Sequence, residues 1–241
     1  MIETVTDPVL SLLFPQQCKV CFGPVKRRAD GVCCEECWAA TLVFDGSEML
    51  CRKCGALIGP LAAPVPVSCH KCDEHHYDRA FAIGVYEKSL AATALELKKV
   101  PSIAARVRSL IRSAVTTLPA ADIVIPAPLS KERRLERGFN QAELIAAEVA
   151  AALALPVDTN SLERHLPTHV HRVGMDDKAR ELSVRNVFSV ARPKLVAGKR
   201  VLLVDDVFTS GATASGCAKV LKKSGAAEVN VFTLARAVWR H

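Results

Sequence analysis

The feature of this 241-residue chain that most constrains its fold is a set of four Cys-x-x-Cys pairs near the N-terminus. The paired residues are Cys18, Cys21, Cys34, Cys37, Cys51, Cys54, Cys69 and Cys72. A two-residue spacing lets both thiolates of a pair bind one tetrahedral ion, and the gaps of 12 and 14 residues between pairs are typical of four-thiolate zinc sites. The spacing therefore predicts two structural Zn²⁺ ions.

Metal is expected because the region around these cysteines has too few large apolar side chains to form a core alone. Zinc is favoured over an iron–sulfur cluster, which uses the same ligands, because closed four-thiolate sites are usually structural zinc. Disulfides are disfavoured, since nothing in the sequence directs the chain to an oxidising compartment. Two alternatives stay open: metal in only one set of four, and interleaved ligation, in which the first pair joins the third.

Charge and cysteine content both change near residue 75. Residues 1–80 contain 8 Lys and Arg against 10 Asp and Glu, whereas residues 81–241 contain 24 against 15. We therefore expect a cysteine-rich domain at 1–75 and a second domain at 76–241. The positive charge of the second domain favours anionic partners, either small phosphorylated molecules or a nucleic acid backbone.

The sequence predicts no membrane insertion. The apolar stretch at residues 145–157 is interrupted by Glu148 and falls short of the roughly 20 residues that a span requires. The N-terminus has acidic residues and no basic segment ahead of an apolar run, unlike a secretory signal. The expected location is cytoplasmic.

Short β-branched segments alternate with helical segments in the second domain. The predicted strands are 80–86, 122–128, 186–190, 200–207 and 228–235, and the predicted helices are 89–99, 103–118, 136–153 and 214–224. This alternation predicts an α/β fold with a parallel sheet and crossover helices. Ligands of such sheets bind at the carboxyl ends of the strands.

The segment VLLVDDVFTSGAT, residues 201–213, has the strongest functional signal. Asp205 and Asp206 end a buried strand, where adjacent carboxylates suit the vicinal hydroxyls of a ribose and a water-coordinated Mg²⁺. A loop of small residues follows and opens the next helix: Thr209, Ser210, Gly211, Ala212 and Thr213. Its hydroxyls and closely spaced N–H groups suit a phosphate monoester. Together these features match the two ends of a ribose 5-phosphate.

This segment resembles the signature of type I phosphoribosyltransferases. The resemblance implies that Asp205 and Asp206 act as catalytic residues and contact the ribose hydroxyls of phosphoribosyl pyrophosphate, which is bound with Mg²⁺. It also implies that residues 209–213 bind the 5-phosphate.

A second block, IPAPLSKERRLERGFNQAELIA at residues 125–146, is similar to the ComF family, whose proteins are named for DNA uptake in natural competence. The cysteine pairs, the early LLFPQQCKVC segment and Lys98 fit the same family. The resemblance implies a double zinc ribbon domain followed by a phosphoribosyltransferase-like parallel sheet with flanking helices. The candidate substrate-binding residues in this block are Ala127, Pro128, Leu129, Ser130, Arg137, Asn140 and Gln141.

The residues of this block also suggest chemistry without the family. Pro126 and Pro128 make a rigid loop that directs the N–H groups of Leu129 and Ser130 into the crevice. The basic side chains that follow suit a pyrophosphate: Lys131, Arg133, Arg134 and Arg137. Asn140 and Gln141 either bond a base or stabilise the loop.

One region departs from the family pattern. Where relatives carry Thr-x-x-Gln and Arg-x-x-Asn elements, this chain has Arg172 at the Gln position and Ser183 at the Asn position. In related enzymes a hood over the leaving pyrophosphate lies here. His165, His169 and His171 are candidates for acid–base chemistry, although histidines in basic loops are more often simple surface residues.

Three classes of function follow from these features. The first is an enzyme that transfers phosphoribosyl to a nitrogenous acceptor. The second is a protein that handles single-stranded DNA together with competence or recombination proteins, although an aromatic content of 5% offers few surfaces for base stacking. The third is a non-catalytic sensor or adaptor that uses the same fold.

Overall fold

The computed structural model describes residues 16–60, 69, 72–165 and 187–238. The hood positions Arg172 and Ser183, together with His169 and His171, lie outside these residues. Among the residues that are described, no helix is long and apolar enough to cross a membrane.

The described residues contain ten strands, seven α-helices and one short 3₁₀ helix, Arg28–Asp30. The strands are β1 (Gln16–Gln17), β2 (Pro24–Val25), β3 (Glu48–Leu50), β4 (Leu57–Pro60), β5 (Arg79–Val85), β6 (Ile123–Pro126), β7 (Leu162–Arg164), β8 (Phe188–Val190), β9 (Arg200–Phe208) and β10 (Glu228–Arg236). The helices are α1 (Glu35–Ala39), α2 (Lys88–Glu96), α3 (Ala105–Val115), α4 (Lys131–Arg137), α5 (Gln141–Leu153), α6 (Pro193–Val196) and α7 (Ala212–Lys223).

The central sheet has four strands in the order β5–β10–β9–β6. All three pairings are parallel, and Phe232 of β10 lies between Phe81 of β5 and Val204 of β9. The predicted α/β fold with a parallel sheet is therefore confirmed. Parallel strands need crossover connections, which is why helices cover both faces of this sheet.

Successive residues of β9 point to opposite faces of the sheet and divide the core into two layers. Leu202 and Val204 share one cluster with Ile111 of α3 and Ile145 of α5. Residues Val201 and Leu203 share the other cluster with Cys217 and Leu221 of α7. Each fully buried aliphatic side chain of this kind contributes about 1.5–3 kcal/mol to folding.

Two sequence predictions were wrong in detail. The single helix expected at 136–153 is two helices, α4 and α5, because Gly138 adopts a left-handed conformation at φ +76° and Asn140 then caps α5. The strand expected at 186–190 forms as β8, but it pairs antiparallel with β7 and lies outside the parallel sheet. The short strand β7 was not predicted.

The cysteine-rich region packs directly on the sheet. Residues 42–44, between the second and third Cys-x-x-Cys pairs, run along the edge of β5. There the Val85 N–H donates to the Leu42 carbonyl at 2.9 Å, and the Phe44 N–H donates to the Ile83 carbonyl at 2.8 Å. Gly84 permits this approach, because a methyl group at this position would lie 2.2 Å from the Leu42 oxygen. The domain boundary near residue 75 stays a prediction.

Candidate functional site

The two carboxylates at the carboxyl end of β9 face different sides of the sheet. Asp206 is buried, and its Oδ2 lies 3.3 Å from Nζ of Lys98 and 3.4 Å from Nε2 of Gln141, which donates to it. Asp205 borders a small cavity that is also lined by Gly211 and Thr213. The structure therefore brings Asp205 next to the TSGAT loop, residues 209–213, and brings Asp206 next to the block at 125–146.

A chain of hydrogen bonds connects that block to the acid pair. Nη1 of Arg137 donates to Oε1 of Gln141 at 2.9 Å, and Gln141 in turn donates to Asp206. Asn140 is buried, donates from Nδ2 to the Ala127 carbonyl at 3.0 Å and accepts from the Ala142 N–H at 3.1 Å. Asn140 thus stabilises the loop, which was one of the two roles the sequence left open.

Burial and the neighbouring carboxylate of Asp206 raise the pKa of Asp205 to about 7. The Asp206 N–H donates to Oδ1 of Asp205 at 2.9 Å, and the Val207 N–H donates to Oδ1 of Asp206 at 2.9 Å. These donors fix both side chains without cancelling their mutual repulsion. A divalent cation or the hydroxyls of a sugar would favour the ionised form of Asp205, so the oxygen donors fit Mg²⁺.

The TSGAT loop is a tight turn that opens α7. Gly211 has φ +82°, and a methyl group there would lie 2.6 Å from Cζ of Phe208. Only glycine suits this position, since both the conformation and the space exclude a side chain. The first N–H groups of a helix have no partner within the helix, so the loop and the start of α7 offer donors for an anion.

The loop after β6 is fixed at its base and leads into an exposed basic helix. The Ala127 N–H donates to the Val204 carbonyl at 2.7 Å, and Oγ of Ser130 caps α4 by accepting from the Arg133 N–H at 3.4 Å. Lys131 and Arg133 are exposed on α4. Arg134 instead pairs with Glu143 at 2.5 Å, so its guanidinium neutralises a carboxylate of the protein.

The eight paired cysteines form two groups of four in sequential order. The first cluster is Cys18, Cys21, Cys34 and Cys37, and the second cluster is Cys51, Cys54, Cys69 and Cys72. The sulfur atoms of each cluster lie within 4.8 Å of one another. This arrangement selects sequential over interleaved grouping.

The sulfur distances suit a metal and not disulfides. The Cys21–Cys34, Cys54–Cys69 and Cys51–Cys72 separations are 3.6, 3.4 and 3.7 Å, and all of these cysteines are free thiols. A tetrahedral Zn²⁺ with bonds of about 2.3 Å needs sulfur atoms roughly 3.8 Å apart, whereas a disulfide needs about 2.05 Å. Both clusters therefore fit zinc.

In each cluster the environment favours one thiolate, whereas burial and neighbouring cysteines raise the pKa of Cys37 and Cys72. Burial opposes ionisation of Cys18, but backbone N–H donors from Cys21, Cys34 and Val20 outweigh it and lower the pKa of Cys18 to about 6. In the second cluster the pKa of Cys51 is also about 6, because backbone donors again outweigh burial. A metal ligand must be deprotonated, so these backbone donors favour the ligand form of Cys18 and Cys51.

Several residues near the site were missed from the sequence. Arg236, at the end of β10, contacts both Cys54 and the ring of Phe208, and His75 lies against Gly211. No local motif marks these contacts, since they join residues 28, 136 and 182 positions apart. The candidate His165 hydrogen bonds through Nε2 to Oγ of Ser189 at 2.6 Å, away from the acid pair.

Known proteins match this arrangement over nearly the whole chain. A family model described as "Phosphoribosyl transferase domain" matches residues 93–238, which include both aspartates and the TSGAT loop. The "Competence protein F" of Haemophilus influenzae is 31% identical over 235 residues, covering 93% of this chain and 98% of that protein. This chain belongs to the ComF family.

Two further matches of this ComF-family chain have lower sequence identity. The "DNA utilization protein YhgH" of Salmonella typhi is 28% identical, over 93% of the chain and 99% of that protein. A solved glutamine phosphoribosylpyrophosphate amidotransferase from B. subtilis is 23% identical with a TM-score of 0.41, covering 58% of this chain and 30% of that one.

Proposed function

We propose that this ComF-family chain binds phosphoribosyl pyrophosphate with Mg²⁺ at the carboxyl end of β9. The observation that supports this most strongly is that the carboxylate pair and an anion-binding turn lie next to each other in the chain, with two residues between them. Asp205, Gly211 and Thr213 line one small cavity, so a carboxylate of the pair lies directly beside the turn whose N–H groups suit a phosphate. The raised pKa of Asp205 also supports the proposal. Two adjacent buried carboxylates repel each other when both are ionised, and a bound cation or ligand would relieve that repulsion.

In the proposed reaction, phosphoribosyl passes to a nitrogenous acceptor as pyrophosphate leaves. Asp205 and Asp206 would stabilise the positive charge that develops on the ribose ring, so the protein needs no nucleophile. The TSGAT loop would orient the 5-phosphate, and exposed Lys131 and Arg133 supply positive charge toward the leaving group. Mg²⁺, when bound, would neutralise charge on the pyrophosphate.

Isothermal titration calorimetry with phosphoribosyl pyrophosphate and Mg²⁺ tests the site. We expect the double variant Asp205→Asn/Asp206→Asn to lose binding, because it removes both negative charges at the ribose position. Asp122→Asn is the matched control, since Asp122 is an aspartate paired with Arg200 on the surface and should leave affinity unchanged. Equal affinity in the wild type and the double variant would contradict the assignment.

We further propose a role in handling incoming single-stranded DNA, as the names of the competence and DNA utilization relatives suggest. The exposed helix α4 (KERRLER) supports this, because it presents basic side chains to solvent just before Gln141, which donates to Asp206. Binding of a single-stranded oligonucleotide should then weaken steeply with salt, and Arg133→Ala should reduce the slope by about one. No binding at low ionic strength would exclude this role and leave the sugar phosphate site untouched.

A further inference from the structure

The second cluster contacts the end of β9 through Cys54. Arg236 donates from Nη1 to the Cys54 carbonyl oxygen and from Nη2 to Sγ of Cys54, the latter at 3.3 Å. Arg236 is buried, and its guanidinium carbon lies 4.3 Å from the ring centre of Phe208, the last residue of β9. A cation at this distance from an aromatic face is attractive, so Arg236 joins the cluster to Phe208.

The same cluster contacts the start of α7 through Cys72. The His75 N–H donates to the Cys72 carbonyl at 3.1 Å, and Nδ1 of His75 hydrogen bonds to the Tyr77 hydroxyl at 2.7 Å. The His75 ring lies against Gly211, where an added methyl group would be 2.7 Å from Cε1 of His75. Tyr77 is buried and packs its edge on Phe208, with ring centres 5.8 Å apart.

His76, the residue after His75, makes a further contact with α7. The His76 N–H donates to Oγ of Ser215 in α7 at 3.1 Å. The segment Phe208 to Ser215 is therefore contacted from both Cys-x-x-Cys pairs of the second cluster. We refer to residues 208–215 as the loop segment.

The first cluster has different neighbours. It shares a core with Trp38, Leu90 of α2 and Ile111 of α3, on the opposite face of the sheet from α7. Within the part of the chain that the structure describes, none of the hydrogen bonds or ring contacts joins it to the loop segment. Both clusters consist of four cysteines, but only the second is connected to the loop segment among the described residues.

We propose that metal in the second cluster, and not in the first, sets the geometry of the loop segment, with Arg236 and His75 as positioning residues. Bound metal fixes the Cys54 carbonyl, which accepts from the Arg236 guanidinium, and the Cys72 carbonyl, which accepts from the His75 backbone N–H. Loss of the metal would release both residues. The expected effect of metal on ligand binding rests on the proposed function. The expected effect of metal on the geometry of the loop segment does not.

Thermodynamic linkage gives the inference a second consequence. If metal in the second cluster tightens binding of a phosphorylated ligand by some factor, the ligand tightens that metal by the same factor. A ligand on the TSGAT loop should therefore raise the metal affinity of the second cluster alone. Because affinity differences mostly lie in dissociation rates, we expect slower metal release from that cluster.

Hydrogen exchange of the zinc-loaded full chain tests the positioning directly. Cys69→Ser and Cys21→Ser each remove one of the more accessible thiolates, from the second and the first cluster respectively. We expect amides of the loop segment to exchange on the order of 10-fold faster in Cys69→Ser and at the wild-type rate in Cys21→Ser. Unchanged exchange in Cys69→Ser, or equal acceleration in both variants, would overturn the inference.

Zinc release to a chromogenic chelator tests the linkage and serves also if Cys69→Ser does not fold. Ribose 5-phosphate should slow one of two release phases in the wild type, and that phase should persist in Cys21→Ser. His75→Ala should abolish the slowing, while His76→Ala, which keeps the backbone contact to Ser215, should retain it. Slowing of both phases, or slowing that survives in His75→Ala, would contradict the inference.

The two proposals fail in distinguishable ways. If ribose 5-phosphate slows neither phase while Cys69→Ser accelerates exchange, the ligand assignment is wrong and the positioning role stands. If calorimetry shows ligand binding but Cys69→Ser leaves exchange unchanged, the function stands and the positioning role is wrong.

Discussion

At the scale of single residues, the two adjacent aspartates occupy unlike environments. Asp206 is compensated by the Lys98 ammonium and the Gln141 amide, whereas Asp205 lies on the α7 side, where Cys217 is fully buried. Burial together with the charge of Asp206 raises the pKa of Asp205 to about 7. The native state therefore holds a proton on Asp205 between about pH 4 and pH 7 that the unfolded chain has released.

Asp205→Asn should stabilise the protein at pH 8 and have little effect near pH 4. Because the folded pKa is raised, the native state binds more protons than the unfolded state in this window, and stability falls as pH rises toward 7. Asparagine mimics the protonated acid and keeps the acceptor for the Asp206 N–H. We expect a gain on the order of 1–2 kcal/mol at pH 8, reduced by partial solvent access.

Urea unfolding at pH 4 and pH 8 measures this difference, and Asp122→Asn is a control of opposite sign. The side-chain hydrogen bond from Arg200 lowers the pKa of Asp122 to about 2. The ionised Asp122 therefore stabilises the folded state at pH values above its unfolded pKa of about 4, and this stabilisation is lost as pH falls toward 2. Asp122→Asn should accordingly be less stable than the wild type at pH 8. A loss of stability at pH 8 in Asp205→Asn would contradict the account.

At the scale of elements, the buried carboxylate of Asp30 connects the first cluster to α3. Asp30 lies in the chain between Cys21 and Cys34 of that cluster and pairs with an arginine of α3. Nη1 of Arg106 lies 2.9 Å from Oδ1 of Asp30, and Nε of Arg27 lies 3.3 Å from Oδ2. The guanidinium carbon of Arg106 is also 5.4 Å from the ring of Trp38, whose Nε1 donates to the Asp30 carbonyl at 2.9 Å. One arginine of α3 thus satisfies a buried charge and packs on an aromatic ring.

Arg106→Ala should destabilise the protein by about 1–3 kcal/mol, because it leaves a buried carboxylate short of a partner. Arg108→Ala is the matched control on the same helix. Arg108 pairs with Glu148 at 3.7 Å near the surface, a kind of ion pair that contributes about 0–1 kcal/mol. Chemical denaturation of both variants measures the difference, and equal losses would refute the role of Asp30.

Elements with a strong local signal could be predicted from the sequence, and those set by distant contacts could not. The strand and turn of VLLVDDVFTSGAT form as β9, the TSGAT loop and α7 because their apolar run and Gly211 act locally. The break at Gly138 was missed, since a single glycine within a helical pattern is ambiguous. The contacts of Arg236 and His75 depend on packing of the cysteine-rich region and have no local pattern.

At the scale of the whole molecule, the two clusters are built into both layers of the core. Cys18, Cys34 and Trp38 belong to the layer that contains α2, α3 and α5, and Cys51, Cys54 and Tyr77 belong to the layer that contains α7. The spacing of the cysteines predicted both sets but not this packing. Metal binding should therefore stabilise the folded chain beyond the cysteine-rich region itself.

Metal analysis should give two zinc ions per chain. Cys37→Ser should reduce the content to one, because it removes a ligand of the first cluster. Cys33→Ala should leave two, since the Cys33 sulfur lies outside both clusters and faces the Ser89 carbonyl at 4.0 Å. Less than one zinc per wild-type chain, or a loss in Cys33→Ala equal to that in Cys37→Ser, would contradict the assignment of ligands.

The most direct test of the central proposal is a crystal structure of the zinc-loaded chain with phosphoribosyl pyrophosphate and Mg²⁺. We predict density for the ribose hydroxyls beside Asp205 and Asp206 and for the 5-phosphate on the N–H groups of residues 209–213. An empty TSGAT loop at saturating ligand, or ligand bound elsewhere on the chain, would contradict the account.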